Sequence, residues 1–384
     1  MITSITFFLI LLATVTIYWI LPGKYYLRQA VLILSSFLFI YLFDKSALII
    51  VAVLSVYSYL FGEVILRKNK KGFIHALSVI GLILCLVYFK YSGALFSTLN
   101  SVDEFIKILP KFEIKNVLLP LGISYIILKH LSYLTDIKWG IITKTNFFSF
   151  LSYSSFFTIF TAGPIERFEK FQPQIENLNL KFSWGFIDEG FKRIVFGLFK
   201  KFVLADWIAY FINPIWQNKQ EYSFWMQALA LLGFSFQIYF DFSGYSDIAI
   251  GSSKMFGLQI MENFDYPYLK RNISQFWRSW HISLSDWIRD YIFMPLGKFS
   301  ANKIWFLFFV PVISMGLCGA WHGAKWGFLL WGLWHGLGIS IYQILIFIER
   351  KNKSFKSFSG KVLIKPIAIL LTFIFVTIGW LWFI

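Results

Sequence analysis

Apolar residues run in long unbroken stretches along this chain, separated by short polar patches. Stretches long enough to span a bilayer, about 17 to 25 residues against a hydrocarbon core of about 30 Å, occur at residues 5–21, 46–66, 73–89, 117–134, 194–212, 223–240, 303–319, 326–348 and 362–384. Residues 30–43 form a shorter run continuous with the next, and 147–163 are apolar yet rich in Ser and Thr. The pattern predicts an all-α polytopic membrane protein with about ten or eleven passes. The first run has no basic n-region and no small-residue cleavage site before Pro22 and Gly23, so it reads as a retained helix and not a signal peptide. With no soluble domain, Pro/Gly/Ser linker or short-period repeat, residues 1–384 read as a single membrane domain.

Composition agrees: 58% of the 384 residues are hydrophobic, 21% aromatic and only 15% charged. A soluble domain carries roughly a quarter charged residues. The net charge of +16 would suggest nucleic acid in a soluble protein. Here the basic residues sit in short loops beside apolar runs, where they report orientation and contact with anionic lipid, and no nucleic-acid partner is expected. Cys85 and Cys318 lie in different runs and imply neither a disulfide framework nor a metal site.

Orientation follows from the basic clusters Lys24/Arg28, Arg67/Lys68/Lys70/Lys71 and Arg350/Lys351/Lys353/Lys356/Lys361, all expected on the cytoplasmic side. The first two are separated by two spans and place Met1 outside. The segment from Lys90 to Lys115, with the acids Asp103, Glu104 and Glu113, then falls outside, and Lys138 and Lys144 return inside. A full crossing by 147–163 would put Lys192/Arg193, Arg278/Arg289 and the last cluster outside. A re-entrant segment turning at Gly163-Pro164 keeps them all inside, and its polar content suits backbone buried in protein. On that reading residues 271–298 form a cytoplasmic interfacial segment, and His322 lies toward the outer half of the membrane.

Two stretches carry polar groups that a bilayer should exclude. In the first, Gln275-Phe-Trp-Arg-Ser-Trp-His281 and its continuation to Asp290, a helix would put Ile273, Trp277, Trp280, His281, Leu284 and Ile288 on one face. Arg278, Ser285 and Arg289 would form a neighbouring polar stripe. That is the pattern of an interfacial helix anchored by tryptophans, with arginines toward headgroups. His281 differs, because it points into the protein and needs a partner or a job.

The second stretch is Met315-Gly-Leu-Cys-Gly-Ala-Trp-His322-Gly, followed by Trp331-Gly-Leu-Trp-His335-Gly. An ionisable residue at membrane depth is by default a functional hypothesis, set here against a packed core histidine as an even alternative. Gly316, Gly319, Ala320, Gly323 and Ala324 would let helices or a substrate approach closely. On a continuous helix His335 would lie about 20 Å from His322 on the opposite face, which favours a structural role. Cys318 precedes His322 by one turn; packing is favoured over a Cys–His nucleophile pair. His75 reads as interfacial, and His130 as a span residue with no constellation around it. Asp241 and Asp247 are expected to pair with nearby arginines. No Cys, Asp or Glu completes a metal site with the histidines.

At these residues the sequence resembles the membrane-bound O-acyltransferase family, in the bacterial branch that includes alginate O-acetylation proteins and the D-alanyl transfer protein of teichoic acids. The matching segments are Gly163-Pro-Ile-Glu-Arg-Phe168, Phe240-Asp-Phe-Ser-Gly-Tyr-Ser246, Phe276-Trp-Arg-Ser-Trp-His-Ile-Ser-Leu-Ser285, Trp287-Ile-Arg-Asp290 and Trp321-His-Gly323. They cover a core at about residues 121–338. The resemblance implies a bundle with re-entrant and interfacial helices around a tunnel between the membrane faces. It puts His322 on the family's catalytic histidine and His281 on a second functionally important one. Asp247, Met261-Glu-Asn-Phe264 and the segment from Arg289 to Gly297 are closer to the polysaccharide O-acetylation members. Those members continue past the equivalent of Trp380, whereas this chain stops at Ile384 in an apolar run. That leaves open a chain nearer the D-alanyl type in length or a truncated one.

The implied chemistry is acyl transfer from a cytoplasmic thioester, acetyl-CoA or an acyl carrier protein, with no bound cofactor. A hydroxyl needs a base within hydrogen-bond reach, and a buried neutral imidazole suits. His322 takes that role; His281 orients a group or binds the donor near the cytoplasmic mouth. Trp321, Trp280 and Tyr245 would wall the tunnel against water, Asn263 is a candidate oxyanion donor, and Arg278 and Arg289 would suit an anionic donor. The acyl group, acetyl by preference, would pass to an extracytoplasmic polysaccharide or to a partner transferase outside the cell membrane. The alternatives are D-alanyl transfer to teichoic acid, a lipid-linked sugar transporter or flippase, and a non-catalytic scaffold for a secreted transferase.

Overall fold

The computed structural model describes residues 1–21, 24–67, 71–106, 119–177, 180–298, 304–351 and 364–384. Pro22, Gly23, Lys68, Lys70, Glu113, Lys115, Lys353, Lys356 and Lys361, with the first residues of the runs at 117–134, 303–319 and 362–384, lie outside them. The described chain is helical, and its one isolated β-bridge joins Phe264 to Trp280. Among the described residues five helices are long and apolar enough to cross a membrane: Tyr25–Phe43, Lys45–Arg67, Lys71–Leu95, Trp326–Glu349 and Lys365–Trp382. Ile5–Ile20 and Phe306–His322 are shorter apolar helices. Large apolar side chains stay exposed along these helices, among them Ile5, Leu34, Ile49, Leu84 and Leu371, as expected where lipid is the solvent. This is an all-α polytopic membrane protein.

The chain divides into two compact units, one formed by Met1–Lys192 with Ala249–Ile260, the other by Arg193–Ile248 with Met261–Ile384. In the first, α1 (Ile5–Ile20), α2 (Tyr25–Phe43), α3 (Lys45–Arg67) and α4 (Lys71–Ile106) pack in sequence, and α5 (Ile123–Trp139) lies against α3 and α4. Helix α5 is buried nearly all round, polar residues included, and starts at Gly122, whose φ of 72° and closeness to the Phe160 carbonyl exclude a side chain. The run at 147–163 does not make a spanning helix. It makes α6 (Phe147–Ser155), nine residues capped by the Asn146 carboxamide, about 13.5 Å long against about 30 Å of hydrocarbon. A buried turn follows, in which Ser36 Oγ takes the Phe157 N–H at 3.1 Å and Thr158 meets Ser253 at 2.7 Å. Non-helical backbone at this depth is tolerated where protein satisfies it, the form expected of a segment that enters and turns back. Helix α7 (Phe168–Ile175) leads out. Arg28, read from sequence as a loop charge, is buried, donates to the Leu180 carbonyl at 2.7 Å and lies over the Tyr18 and Trp19 rings.

Helix α8 (Trp184–Leu198) continues through a π-helical stretch, Phe199–Ala205, into α9 (Asp206–Gln217). The run at 194–212 is therefore an interrupted helix, and the run at 223–240 is the start of the longer α10 (Phe224–Lys254). In the second unit, Asp247 of α10 accepts from Arg193 at 3.1 Å and Lys200 at 2.6 Å, and Asp241 pairs with Lys201. These are the structural pairings expected of the two carboxylates, made to lysines as well as an arginine.

The expected single interfacial helix around His281 is broken. Ile273–Trp277 forms α11 and Ile282–Ile288 forms α12, with a π-helical turn and α13 (Met294–Lys298) beyond. Between α11 and α12 the chain pairs with the segment after α10: Asp265 N–H donates to the Ser279 carbonyl at 3.0 Å, and Ile282 N–H to the Asn263 carbonyl at 2.9 Å. That pairing outcompetes helix continuation and leaves His281 left-handed, at φ 44° and ψ 54°. Trp277, Trp280 and Trp287 are core residues and not interfacial anchors, each under 10% exposed.

Helix α14 (Ile304–His322) ends at His322, and α15 (Trp326–Lys351) turns back against it. A side chain at Gly319 or Gly332 would strike the facing helix's backbone, the close approach the small residues foreshadowed. His322 and His335 are thus not on one continuous helix. Helix α16 (Ile364–Gly379) packs on α15 and ends in the turn Trp380–Trp382.

Candidate active site

The histidines of the second unit collect around an aromatic core. His322, at the end of α14, is half-buried, with its ring 5.0 Å from Trp321, 5.2 Å from Trp331 and 5.3 Å from Phe383. Trp331 also touches His335 at 5.1 Å, so the α14–α15 turn brings both histidines onto one indole. His335 is fully buried among Phe276, Trp277, Trp331 and Phe375, with neither ring nitrogen hydrogen-bonded among the described residues. Trp277 and Trp331, beside it, were not singled out from sequence as site residues; three- and four-residue spacing of aromatic and histidine side chains was the available signal.

His281 is 3% exposed and sits edge-on to Phe242 at 4.6 Å. Burial, and to a lesser degree the charge His322 would carry, push its pKa down. The ring is therefore neutral near pH 7, and His322 is close enough to act on it. Its Nδ1 lies 3.4 Å from Asn263 Oδ1, while Nε2 has no hydrogen-bond partner among the described residues. Asn263 is completely buried, and its amide donates to Ser246 Oγ at 3.1 Å.

Trp280 is buried, stacks on Phe276 at 5.6 Å and meets Trp380 at 5.2 Å. Tyr245 is half-buried on α10, adjacent in sequence to Ser246. Arg278 and Arg289 are exposed and line a cavity of about 180 Å³, whose wall also includes Trp277, Leu284, Met315 and Cys318. Arg289 is held by Asp286 at 2.5 Å and Asp290 at 2.8 Å. A larger, more polar cavity of about 430 Å³ is lined by Arg193, Lys200, Asp247, Glu262 and Asn263. Among the described residues no three His, Cys, Asp or Glu side chains gather in a metal-binding cluster.

A membrane-embedded helical protein with buried imidazoles and a cavity rimmed by arginines defines a class, and the comparisons with known proteins make it specific. Residues 2–379 match the model of MBOAT, the membrane-bound O-acyltransferase family. The chain is 32% identical over 392 residues to the probable alginate O-acetylase of Azotobacter vinelandii, covering 99% of this chain and 74% of that protein. It is 34% identical to the peptidoglycan O-acetyltransferase of Helicobacter pylori, over 80% of this chain and 61% of that one. It is 30% identical to the teichoic acid D-alanyltransferase of Streptococcus thermophilus, over 64% of this chain and 61% of that one. The chain belongs to the membrane-bound O-acyltransferase family. It is an O-acyltransferase, an enzyme that moves an acyl group to a hydroxyl.

Proposed function

We propose that the protein takes an acetyl group from a cytoplasmic thioester, acetyl-CoA or an acyl carrier protein, and passes it across the cell membrane to a hydroxyl of an extracytoplasmic polysaccharide, directly or through a partner transferase. The observation that carries the donor half is the cavity lined by Arg278, Arg289, Asp286 and Cys318, the last of these one helical turn before His322. The Arg278 guanidinium, with Arg289 already held by Asp286 and Asp290, suits a phosphate of a pantetheine-bearing donor, and the apolar wall suits the arm. The polysaccharide half draws on the alginate and peptidoglycan O-acetylases among the relatives.

In the transfer step the acceptor hydroxyl attacks the thioester carbonyl, the new C–O bond forms and the C–S bond breaks. His322 takes the hydroxyl proton as attack proceeds and returns it to the departing thiolate. His281 orients the reacting group from its buried position. Trp321, Trp280 and Tyr245 wall the site against water that would hydrolyse the thioester. A second reading, D-alanyl transfer to teichoic acid from a carrier protein, draws on the D-alanyltransferase relatives.

Mass spectrometry of surface glycans from cells with and without the protein tests both readings. Loss of acetyl esters from one polysaccharide is the expected result; loss of D-alanyl esters selects the second reading. Unchanged acylation, with a lipid-linked sugar accumulating inside the cell, would overturn both in favour of a transporter.

A further inference from the structure

We propose that Asn263 is a positioning residue that locks His281 in the tautomer carrying its proton on Nδ1, so that Nε2 meets the reaction only as an acceptor. The inference deepens the acyl-transfer reading and rests on it only for its activity measurements.

The tautomer follows from which atoms can donate. Asn263 Oδ1 faces the Ser283 backbone N–H at 3.2 Å and the Ser283 hydroxyl at 2.7 Å. A backbone N–H can only donate, so the carboxamide atom facing Ser283 is the oxygen. The opposite end agrees, since the carboxamide nitrogen donates to Ser246 Oγ. His281 Nδ1 looks at that same oxygen from 3.4 Å. A bare Nδ1 would set lone pair against lone pair; an Nδ1–H donates to it. In a neutral imidazole the proton on Nδ1 leaves Nε2 with a lone pair, and Nε2 is the buried atom of this ring without a partner.

The backbone holds the same arrangement. The Asn263 carbonyl takes the Ile282 N–H at 2.9 Å, so one residue holds the two residues that follow His281 as well as its ring. The left-handed φ of 44° at His281 is strain that these bonds sustain. His281 can therefore accept a proton or a hydrogen bond from a hydroxyl, and cannot donate from Nε2 to an oxyanion. Asn263 acts through His281 and does not touch the reacting atoms.

The direct test uses the wild-type protein. With ¹⁵N-labelled histidine in lipid nanodiscs at neutral pH, solid-state NMR should show the His281 proton on Nδ1 and none on Nε2, the signal being assigned by its loss in His281→Gln. A protonated Nε2 in the wild type overturns the proposal, whatever the enzyme's substrate. The activity arm compares Asn263→Ala with Asn263→Asp. The alanine variant should lose transfer by about tenfold or more, the scale of removing a group that orients a histidine. The aspartate keeps the acceptor, and Ser246 can turn its hydroxyl to donate to it. It should outperform alanine and raise the His281 pKa by about one unit or more in a ¹⁵N NMR titration, because a carboxylate stabilises the imidazolium. The ring packs against Phe242 and Asn263, and the titratable group acting on it is His322. Alanine within threefold of wild type, or aspartate that leaves the His281 titration unmoved, would refute the proposal. An active His322→Ala enzyme would instead refute the acyl-transfer mechanism and leave the tautomer assignment standing.

Discussion

His130 in the first unit and His281 in the second are both buried, and they are buried in opposite ways. His130 has both ring nitrogens engaged: Ser58 Oγ lies 3.0 Å from Nδ1, and Ser154 Oγ 2.7 Å from Nε2 and 2.8 Å from Ser55 Oγ. The group joins α3, α5 and α6 and is closed on itself, as hydrogen-bonding glue between helices is. Among the described residues His281 is held at one nitrogen and open at the other, and His335 is hydrogen-bonded at neither. An unpaired polar atom in a buried site costs about 1–3 kcal/mol, so a fold keeps one where something else uses it. Burial alone does not mark a functional histidine; what separates His281 from the other two is a ring held at Nδ1 beside an unpaired Nε2.

The sharpest way to break this contrast is to remove the histidines in turn. His322→Ala should lower transfer by about 10²- to 10⁴-fold, the range of a lost general base, with membrane insertion unchanged in a fractionation and turnover assay. Wild-type rates in that variant would return His322 to the packing class. His281→Gln should lower the turnover rate by about 10²-fold at an unchanged melting temperature in detergent; a large loss of stability with normal turnover would make it a second His130.

Smaller effects sharpen the distinction between binding and chemistry. Arg278→Ala should raise the KM for the thioester donor severalfold, with kcat held, and the difference from wild type should shrink as salt rises. A fall in kcat at constant KM would move Arg278 from the donor rim to the reaction itself. His130→Leu should cost about 1–3 kcal/mol of stability by leaving the Ser58 hydroxyl without its imidazole partner and Ser154 with Ser55 alone, read by thermal denaturation, while transfer per folded molecule stays near wild type. Smallest of all, Cys318→Ala should change turnover less than about twofold. The thiol packs in a buried wall, and an inactive but stable variant would revive the Cys–His nucleophile.

The membrane class, the apolar runs, the break at 147–163 and the burial of His281 were legible in the sequence. Lipid offers no partner to a backbone N–H or C=O, so length and hydropathy nearly dictate helices. Ser and Thr content at 147–163 exposed the one run that does not obey. The tryptophans misled because amphipathic rings suit both a headgroup layer and a protein core. Spacing cannot distinguish the two.

Chain pattern by itself thus determined a bundle of apolar helices with two histidines set among small and aromatic residues, because those properties are local to each segment. Only the tertiary structure decided that the helix around His281 breaks, that Asn263, 18 residues earlier, grips the ring, and that α15 folds back to put His335 and His322 on one indole. These outcomes depend on pairings between distant segments, where a backbone bond to Ser279 or a glycine facing a glycine outweighs what any single window of sequence prefers.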